Sequence, residues 1–472
     1  MALEKTGYRF PQPTGRKGLG ESYISSMRFH CRCGSRNYLR NHQGDAMLSR
    51  DENQTLTQTD RGTPMGDVMR RYWMPALLSE ELPAADCPPV RVKLLGEKLV
   101  AFRDTAGRIG LLDEFCPHRL ASLFLGRNEE NGLRCVFHGW KFDVEGRCLD
   151  MMNEPPGSDF KDKMSIKSYL TVEAGGVVWA YLGPDGRMPP PPNFEWTRVP
   201  ATHCHVSKNR QKCNWLQGLE GGIDTAHAPI LHRTITAHTN RAGIGVNTNF
   251  VTGGAPTLEV DVTDYGFRYV GVRDLGEKGN YVRAYHCVMP FHQFRPRQAG
   301  YQGQPSKPHV AGHMWVPMDD ENCMIYNFVY SFGDELITEE EWLEMELGYG
   351  RGPDDLLPDY STKGNYGNDW LIDRQVQKTE TFTGIEGINA QDVAVQESMG
   401  PIVDRTRENL ARSDMAIVAA RRMLLEASRT VADGGDPPGM GDSYYRVRAI
   451  EDIVPNGVQW RDALMPDMYP EA

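Results

Sequence analysis

"FCPHRLASLFLGRNEENGLRCVFHGWKFD", residues 115 to 143, holds two cysteines and two histidines in a repeated order. Cys116 stands two positions before His118, and Cys135 three before His138, with sixteen residues between the pairs. Zinc sites commonly use Cys-x-x-Cys and His-x-x-x-His pairs. Mixed Cys–His pairs, repeated in one order, point to another group.

A 2Fe-2S cluster is normally held by four thiolates, and in a Rieske centre two imidazoles replace two of them on one iron. Each pair here offers one thiolate and one imidazole. Cys116 and Cys135 would then bind one iron, and His118 and His138 the other. Neutral imidazoles leave the cluster less negative, so it accepts an electron more easily. A zinc site and two packed cysteines beside surface histidines are the competing readings. Two short-spaced pairs between strands, with Gly139 and Trp140 after the second, weigh against packing alone.

Outward from this stretch, the chain of 472 residues is long enough for two or three domains. Its net charge of -11 and lack of a basic stripe disfavour nucleic acid. No run of eighteen apolar residues suggests a membrane span. The ten cysteines are scattered, which argues for a reducing compartment such as the cytoplasm rather than a disulfide framework. Residues 1–46 carry eight Lys or Arg against three acidic residues and no sustained hydrophobic period. They read as a disordered extension, with a targeting peptide as the rival, and Cys31 and Cys33 receive no metal.

Alternating apolar and polar residues in "VRVKLLGEKLVAFRDTAGRIGLLDEFC" predict antiparallel strands with turns at 96–97 and 106–107. A short helix is predicted in "PMGDVMRRYW", and strand signals continue to "GGVVWAYLG". Four consecutive prolines at 189–192 mark a connection. The boundaries expected are therefore 47–188 for an N-terminal helix and cluster domain, 189–194 for the connection, and 195–472 for a second domain. There, strands are expected in "TLEVDVTDYGFRYVGVRD" and "NYVRAYHCVMPFHQF". Thr338 and Glu341 form a capping box opening a helix, and residues 404–428 read as one long amphipathic helix. Strands and helices without regular βαβ alternation predict an α+β fold. No G-x-G-x-x-G follows a strand, so no dinucleotide site is expected.

"NWLQGLEGGIDTAHAPILHR", residues 214–233, contains Asp224, His227 and His232. Asp224 and His227 would share a helix face. His227 and His232 lie about 140° apart round an ideal helix, so they cannot converge on one metal unless the helix is distorted, and Pro229 lies between them. Two His and one carboxylate form the facial triad of non-haem Fe(II) oxygenases. Asp392 is a candidate third ligand, expected between a turn and the long helix, with Glu386, Glu397 and Asp404 as rivals.

The two motifs together resemble the Rieske non-haem iron ring-hydroxylating oxygenases, alpha subunit, over about Pro64 to Ala427. The resemblance is greatest to the phthalate 4,5-dioxygenase and phenoxybenzoate dioxygenase branch; Gly221 stands where many naphthalene-type members have Asn. It implies a Rieske antiparallel β domain plus a catalytic domain with a helix-wrapped antiparallel sheet. It implies a 2Fe-2S cluster on Cys116, His118, Cys135 and His138, and a mononuclear Fe(II) on His227, His232 and Asp392. Asp224 would be a bridging carboxylate between an iron-bound imidazole and a cluster-bound imidazole of a neighbouring subunit. The implied activity is O2-dependent hydroxylation of an aromatic carboxylate, with an O- or N-demethylating monooxygenase as the alternative and a simple electron carrier as the weaker one. An NADH-dependent reductase, possibly with flavin and a ferredoxin-type centre, would supply electrons to a homotrimer or stacked trimers. For a substrate carboxylate, Arg268, Arg273 and Arg283 on the strands after the iron motif are candidates, against the plainer reading that they face solvent.

Overall fold

The computed structural model describes residues 48–239, 241–298 and 306–470. The expected extension, with Cys31 and Cys33, lies outside the described residues. Ten strands come first: β1 (Trp73–Leu78), β2 (Val90–Leu94), β3 (Glu97–Arg103), β4 (Ile109–Asp113), β5 (Arg127–Glu129), β6 (Gly132–Arg134), β7 (Trp140–Phe142), β8 (Cys148–Met151), β9 (Ser168–Ala174) and β10 (Val177–Tyr181). They make a six-stranded sheet ordered β1-β10-β9-β4-β3-β2 and a four-stranded sheet β5-β6-β7-β8. All pairings are antiparallel. The hairpin β2–β3 closes through Leu95 and Gly96, whose φ values of 50° and 78° are both positive, the turn whose twist matches that of paired strands.

The second sheet follows the prolines. Its strands are β11 (Cys204–Gln211), β12 (Thr257–Val262), β13 (Gly266–Asp274), β14 (Asn280–Val288), β15 (His292–Pro296), β16 (His309–Asp319), β17 (Asn322–Ser331) and β18 (Ile450–Val454). The order is β11-β17-β16-β15-β14-β13-β12, with β18 paired to β14. The helices are α1 (Arg50–Thr57), α2 (Pro64–Met69), α3 (Trp215–Ile223), α4 (Ala228–Leu231), α5 (Asn249–Thr252), α6 (Glu339–Tyr349), α7 (Arg374–Thr379), α8 (Ile388–Ser398), α9 (Met415–Ala432) and α10 (Trp460–Met468). The molecule is α+β, as the sequence pattern predicts.

One apolar core runs from α1 and α2 through the six-stranded sheet into α3, α9 and the second sheet. The tip of the β2–β3 hairpin joins the two sheets by backbone bonds: Leu95 N–H donates to Pro317 O at 3.0 Å and Gly96 N–H to Met318 O at 2.8 Å. A separate apolar cluster, with Leu123, Leu133, Phe142 and Ile166, lies beneath the two Cys–His turns.

Two expectations shift. The long helix starts at Met415, not near Asp404. Residues 405–414 run as separate short turns, and buried Arg405 reaches Glu220 of α3 at 2.9 Å. Arg421 of α9 holds the other Glu220 oxygen at 2.6 Å. The demand of this buried carboxylate for two guanidiniums outweighs helical propensity over 404–414. Second, Asp392 stands inside α8 rather than in a connection before the long helix.

Candidate metal centres

The two Cys–His pairs occupy similar turns. In each, the residue four after the cysteine returns a backbone bond to it: Leu120 N–H to Cys116 O at 2.9 Å and Gly139 N–H to Cys135 O at 3.0 Å. Those closing residues have φ of 59° and 75°. Gly139 does this without strain, whereas Leu120 adopts a conformation costly for a side chain. The turns lie side by side, with the His118 and His138 rings 4.4 Å apart between centroids. Trp140 stacks flat under His118 at 4.6 Å and is fixed by its Nε1–H donating to Asn153 Oδ1 at 2.8 Å.

These four side chains fit a metal cluster. Cys116 and Cys135 are 1% and 2% exposed. Burial, with Cys135 beside it, pushes the Cys116 thiol up to about 12, so that sulfur would ionise only with a cation present. His138 Nδ1 is buried with no hydrogen-bond partner, as a metal-directed nitrogen would be.

The second centre is built at the end of α3. The helix stops at Ile223, and Asp224 caps it in an extended conformation (φ -78°, ψ 102°). The break therefore comes at Asp224, not Pro229, which sits in the first turn of α4 where its missing N–H costs nothing. His227 precedes α4 and His232 follows it. This lets the imidazoles meet, with their Nε2 atoms 3.2 Å apart, and each lies 3.3 Å from Asp392 Oδ1. One donor atom from each of the three falls within 4.8 Å of the others. The rivals lie elsewhere: Glu386 pairs with Arg241 at 2.8 Å, Glu397 accepts from Lys212 N–H at 2.8 Å, and Asp404 caps a short turn.

The orientation of His232 is fixed. Gln391 Nε2 donates to Ile385 O at 2.8 Å, which aims Gln391 Oε1 at His232 Nδ1, 2.9 Å away. His232 must then carry its proton on Nδ1 and present a lone pair on Nε2. Asp224 Oδ2 lies 3.5 Å from His227 Nδ1, and Asp224 Oδ1 accepts from Ala226 N–H at 2.7 Å. Burial lowers His227, but Asp224 and Asp392 outweigh it and raise it to about 10. Burial raises Asp392, and the two imidazoles outweigh that and hold it well below the usual carboxylate range. The carboxylates of Asp224 and Asp392 thus favour a positive charge at His227, a demand that a divalent cation would also satisfy.

The triad opens on a cavity of about 740 Å³. Tyr281, Arg283 and Tyr285 alternate on β14 and all face it. Arg283 is paired with Glu451 at 3.1 Å. Arg273 and Arg268 do not line it. Arg273 is fully buried and donates to Thr225 O at 2.8 Å, bracing the segment that carries Asp224 and His227. Arg268 stands opposite His286 on the other face and pairs with Asp261 at 2.9 Å. Sequence reasoning missed Arg295, Arg297 and Tyr349 on the cavity wall. The available signal was Arg-x-Arg at the end of β15, where alternate residues of an extended chain share a face; Tyr349 is brought in only by tertiary folding. None of the four cluster-type residues lines this cavity.

Known proteins match both parts. A Rieske [2Fe-2S] domain model matches residues 72–169, and a LigXa C-terminal domain-like model matches 180–469. The chain is 39% identical to the 3-chlorobenzoate-3,4-dioxygenase oxygenase subunit of Comamonas testosteroni, covering 87% of this chain and 96% of that one. It is 38% identical to the phthalate 4,5-dioxygenase oxygenase subunit of Pseudomonas putida (88% and 94%). It is 31% identical to the 5,5'-dehydrodivanillate O-demethylase oxygenase subunit of a Sphingobium strain (90% and 90%). The fold is similar to that of the Pseudomonas putida CBB5 NdmA QL mutant with caffeine, TM-score 0.57 at 19% identity, over 84% of this chain and 99% of that one. It also matches the complex between oxygenase and ferredoxin in carbazole 1,9a-dioxygenase, TM-score 0.51 at 19% identity, over 80% and 94%. Among the described residues no helix is long and apolar enough to cross a membrane, and the eight described cysteines are free. Proteins built this way carry a Rieske cluster and a mononuclear iron and receive electrons from ferredoxin or reductase partners. With both domain models in sequence and near-full-length relatives, the chain belongs to the Rieske oxygenases as an oxygenase subunit with a LigXa-like C-terminal domain.

Proposed function

We propose that this oxygenase hydroxylates an aromatic carboxylate with O2, using electrons delivered from NADH through a separate reductase. The observation that carries the proposal is the 740 Å³ cavity, which joins the His227–His232–Asp392 set to walls of tyrosine and arginine. Relatives named for 3-chlorobenzoate and phthalate support the substrate class.

In this reading Cys116 and Cys135 hold one iron of the cluster, and His118 and His138 the other. His227, His232 and Asp392 hold the mononuclear iron. When bound, the cluster supplies electrons singly and the mononuclear iron supplies oxygen activation. The protein's part is positional. Gln391 keeps the His232 tautomer, Asp224 orients His227, and the Arg283–Glu451 pair keeps a polar wall without net charge. The domain boundaries follow: cluster domain to 188, connection 189–194, catalytic domain from 195.

Electron transfer is proposed to cross between copies of a homotrimer or stacked trimers through Asp224. Both centres lie under exposed apolar surface. Leu120 and Phe137, beside the cluster turns, are 71% and 53% exposed, and Ile230, between the two imidazoles, is 53% exposed. Faces of this kind mark interaction sites. Oxygen uptake with phthalate and 3-chlorobenzoate, a generic reductase and product identification tests the activity. A cis-diol or phenol supports ring hydroxylation. Formaldehyde released from methoxylated aromatic acids alone would move the assignment to O-demethylation, which the Sphingobium relative favours.

A further inference from the structure

Four cationic stations approach the cavity, and they differ in how they are neutralised. Arg283 has Glu451 at 3.1 Å. Arg351, against the ring of Tyr349, is paired in two-pronged fashion with buried Glu346 and also donates to Asn389 at 3.1 Å. Arg295 and Arg297 have no carboxylate within ion-pair reach among the described residues. Their common partner is the Tyr349 hydroxyl, reached by Arg297 at 2.5 Å and Arg295 at 3.1 Å. Arg295 Nε is buried with no partner at all. Two half-buried guanidiniums around one phenol oxygen are undercompensated, and such charge is retained where an anion completes it.

Both arginines and Tyr349 line the same cavity as His227, His232 and Asp392. Arg295 stands near the end of β15 and Arg297 just past it, and both reach the hydroxyl of Tyr349, which comes from the last turn of α6. The remaining groups around the phenol are the Glu346–Arg351 pair and His313, which burial and Arg295 hold well below its ordinary range, hence neutral.

We propose that Arg295 and Arg297 form the subsite for the substrate carboxylate, and that Tyr349 is a placeholder which the carboxylate displaces. This rests on the aromatic-carboxylate reading above and deepens it. A planar carboxylate takes two parallel N–H bonds from a guanidinium, a match a single phenol oxygen cannot make. Arg283, already paired with Glu451, donates to Pro296 O at 3.0 Å and so braces the backbone between the two arginines. The state of Tyr349 agrees. Burial raises its phenol, but Arg295, Arg297 and Arg351 outweigh burial and bring it down to about 7. Above that pH the empty subsite holds a phenolate. When a carboxylate takes over the guanidinium donors, the phenolate loses its stabilisation and accepts one proton from solvent.

Phthalate and 3-chlorobenzoate are the probes, titrated calorimetrically into the iron-loaded protein near pH 8 in two buffers of different ionisation enthalpy. The parent should take up close to one proton per acid bound. Arg295→Met and Arg297→Met should each weaken binding about 10- to 100-fold with iron content unchanged. Arg295→Lys should recover only part of the affinity. Tyr349→Phe should bind at least as tightly as the parent and lose the proton uptake. Unchanged affinity in both methionine variants overturns the subsite but leaves the substrate class standing, because the parent still binds. Proton uptake that persists in Tyr349→Phe overturns the displacement. A parent that neither binds nor oxidises either acid overturns the subsite together with the substrate class.

Discussion

The two metal-type centres are assembled in opposite ways. At the cluster end, all four side chains come from residues 116–138, in two similar turns, one after β4 and one between β6 and β7. At the iron end, they come from residues 227–392, brought together by α3, α4 and α8. The first site needs only short loops on a small sheet. The second needs the catalytic fold itself, with a helix that stops at the right residue, a buried charge cluster behind it and an amide that fixes one imidazole. The cluster end should therefore tolerate damage elsewhere, while the iron end should report on packing many residues away.

The largest effect should come from the ligands themselves. His227→Ala or Asp392→Ala is expected to abolish turnover and leave roughly two irons per chain against roughly three in the parent. The visible spectrum of the cluster should persist. Cys135→Ala should do the reverse, removing the cluster spectrum while the mononuclear site still takes iron. If either class of variant empties both centres, the two ends are not independent, and the contrast is wrong.

Next in size is the anchor of α3. Glu220 lies between Arg405 and Arg421. Burial raises its carboxyl, but the two guanidiniums outweigh burial and hold it below its ordinary value. Glu220→Gln leaves two buried guanidiniums short of a counter-charge, at a cost of about 3–5 kcal/mol. The sign with pH follows from the lowered folded-state value. The stabilisation is fully present above the unfolded carboxyl range near 4.3 and fades as pH falls below it. Calorimetric unfolding of parent and variant should thus converge in acid. A gap that widens with acidity would contradict the assignment.

Asp224→Asn should retain both metals and the parent's state of assembly yet slow cluster-to-iron electron transfer. A pre-reduced cluster should fail to reoxidise when substrate and O2 are added. Co-assembled subunits, one lacking the cluster and one lacking the mononuclear iron, should regain activity if the path crosses between copies. Gln391→Leu should act more mildly. It removes the acceptor that fixes the His232 tautomer, so mononuclear iron should bind about 10- to 100-fold more weakly while the cluster is untouched.

The same contrast explains what the sequence made legible. Four ligand-type residues within one stretch can be read without knowing the fold, and so can strand alternation around them. The two imidazoles were visible as a motif, yet their geometry was not. A five-residue spacing demands a break, and proline suggested its place, whereas the helix ends earlier, at Asp224. One turn before that stop, Glu220 is held by arginines 185 and 201 positions away in sequence. Asp392 had three carboxylate rivals because only tertiary packing brings α8 against α4. Likewise α9 begins late because Arg405 is drawn to α3, a demand no local period records.

The smallest expected effect is at Arg268, and it tests whether strand parity sorts the arginines correctly. Arg283 and Arg268 stand on neighbouring strands, and sequence alone made them equal candidates for gripping a substrate. In β13–β14 pairing Arg268 lies opposite His286, while Arg283 lies opposite Gly271, so the two point to different faces. Arg268 reaches Asp261 at 2.9 Å and the Tyr469 hydroxyl at 3.3 Å, away from the cavity. Arg268→Ala should leave turnover and KM for an aromatic acid unchanged and lower stability by about 1 kcal/mol or less, the usual range for a partly exposed pair. Arg283→Ala should behave differently, because it faces the cavity and strands buried Glu451 without its guanidinium. A raised KM in Arg268→Ala, with normal iron content, would mean that substrate reaches the other face of the sheet, and the cavity beside the triad would then be the wrong site.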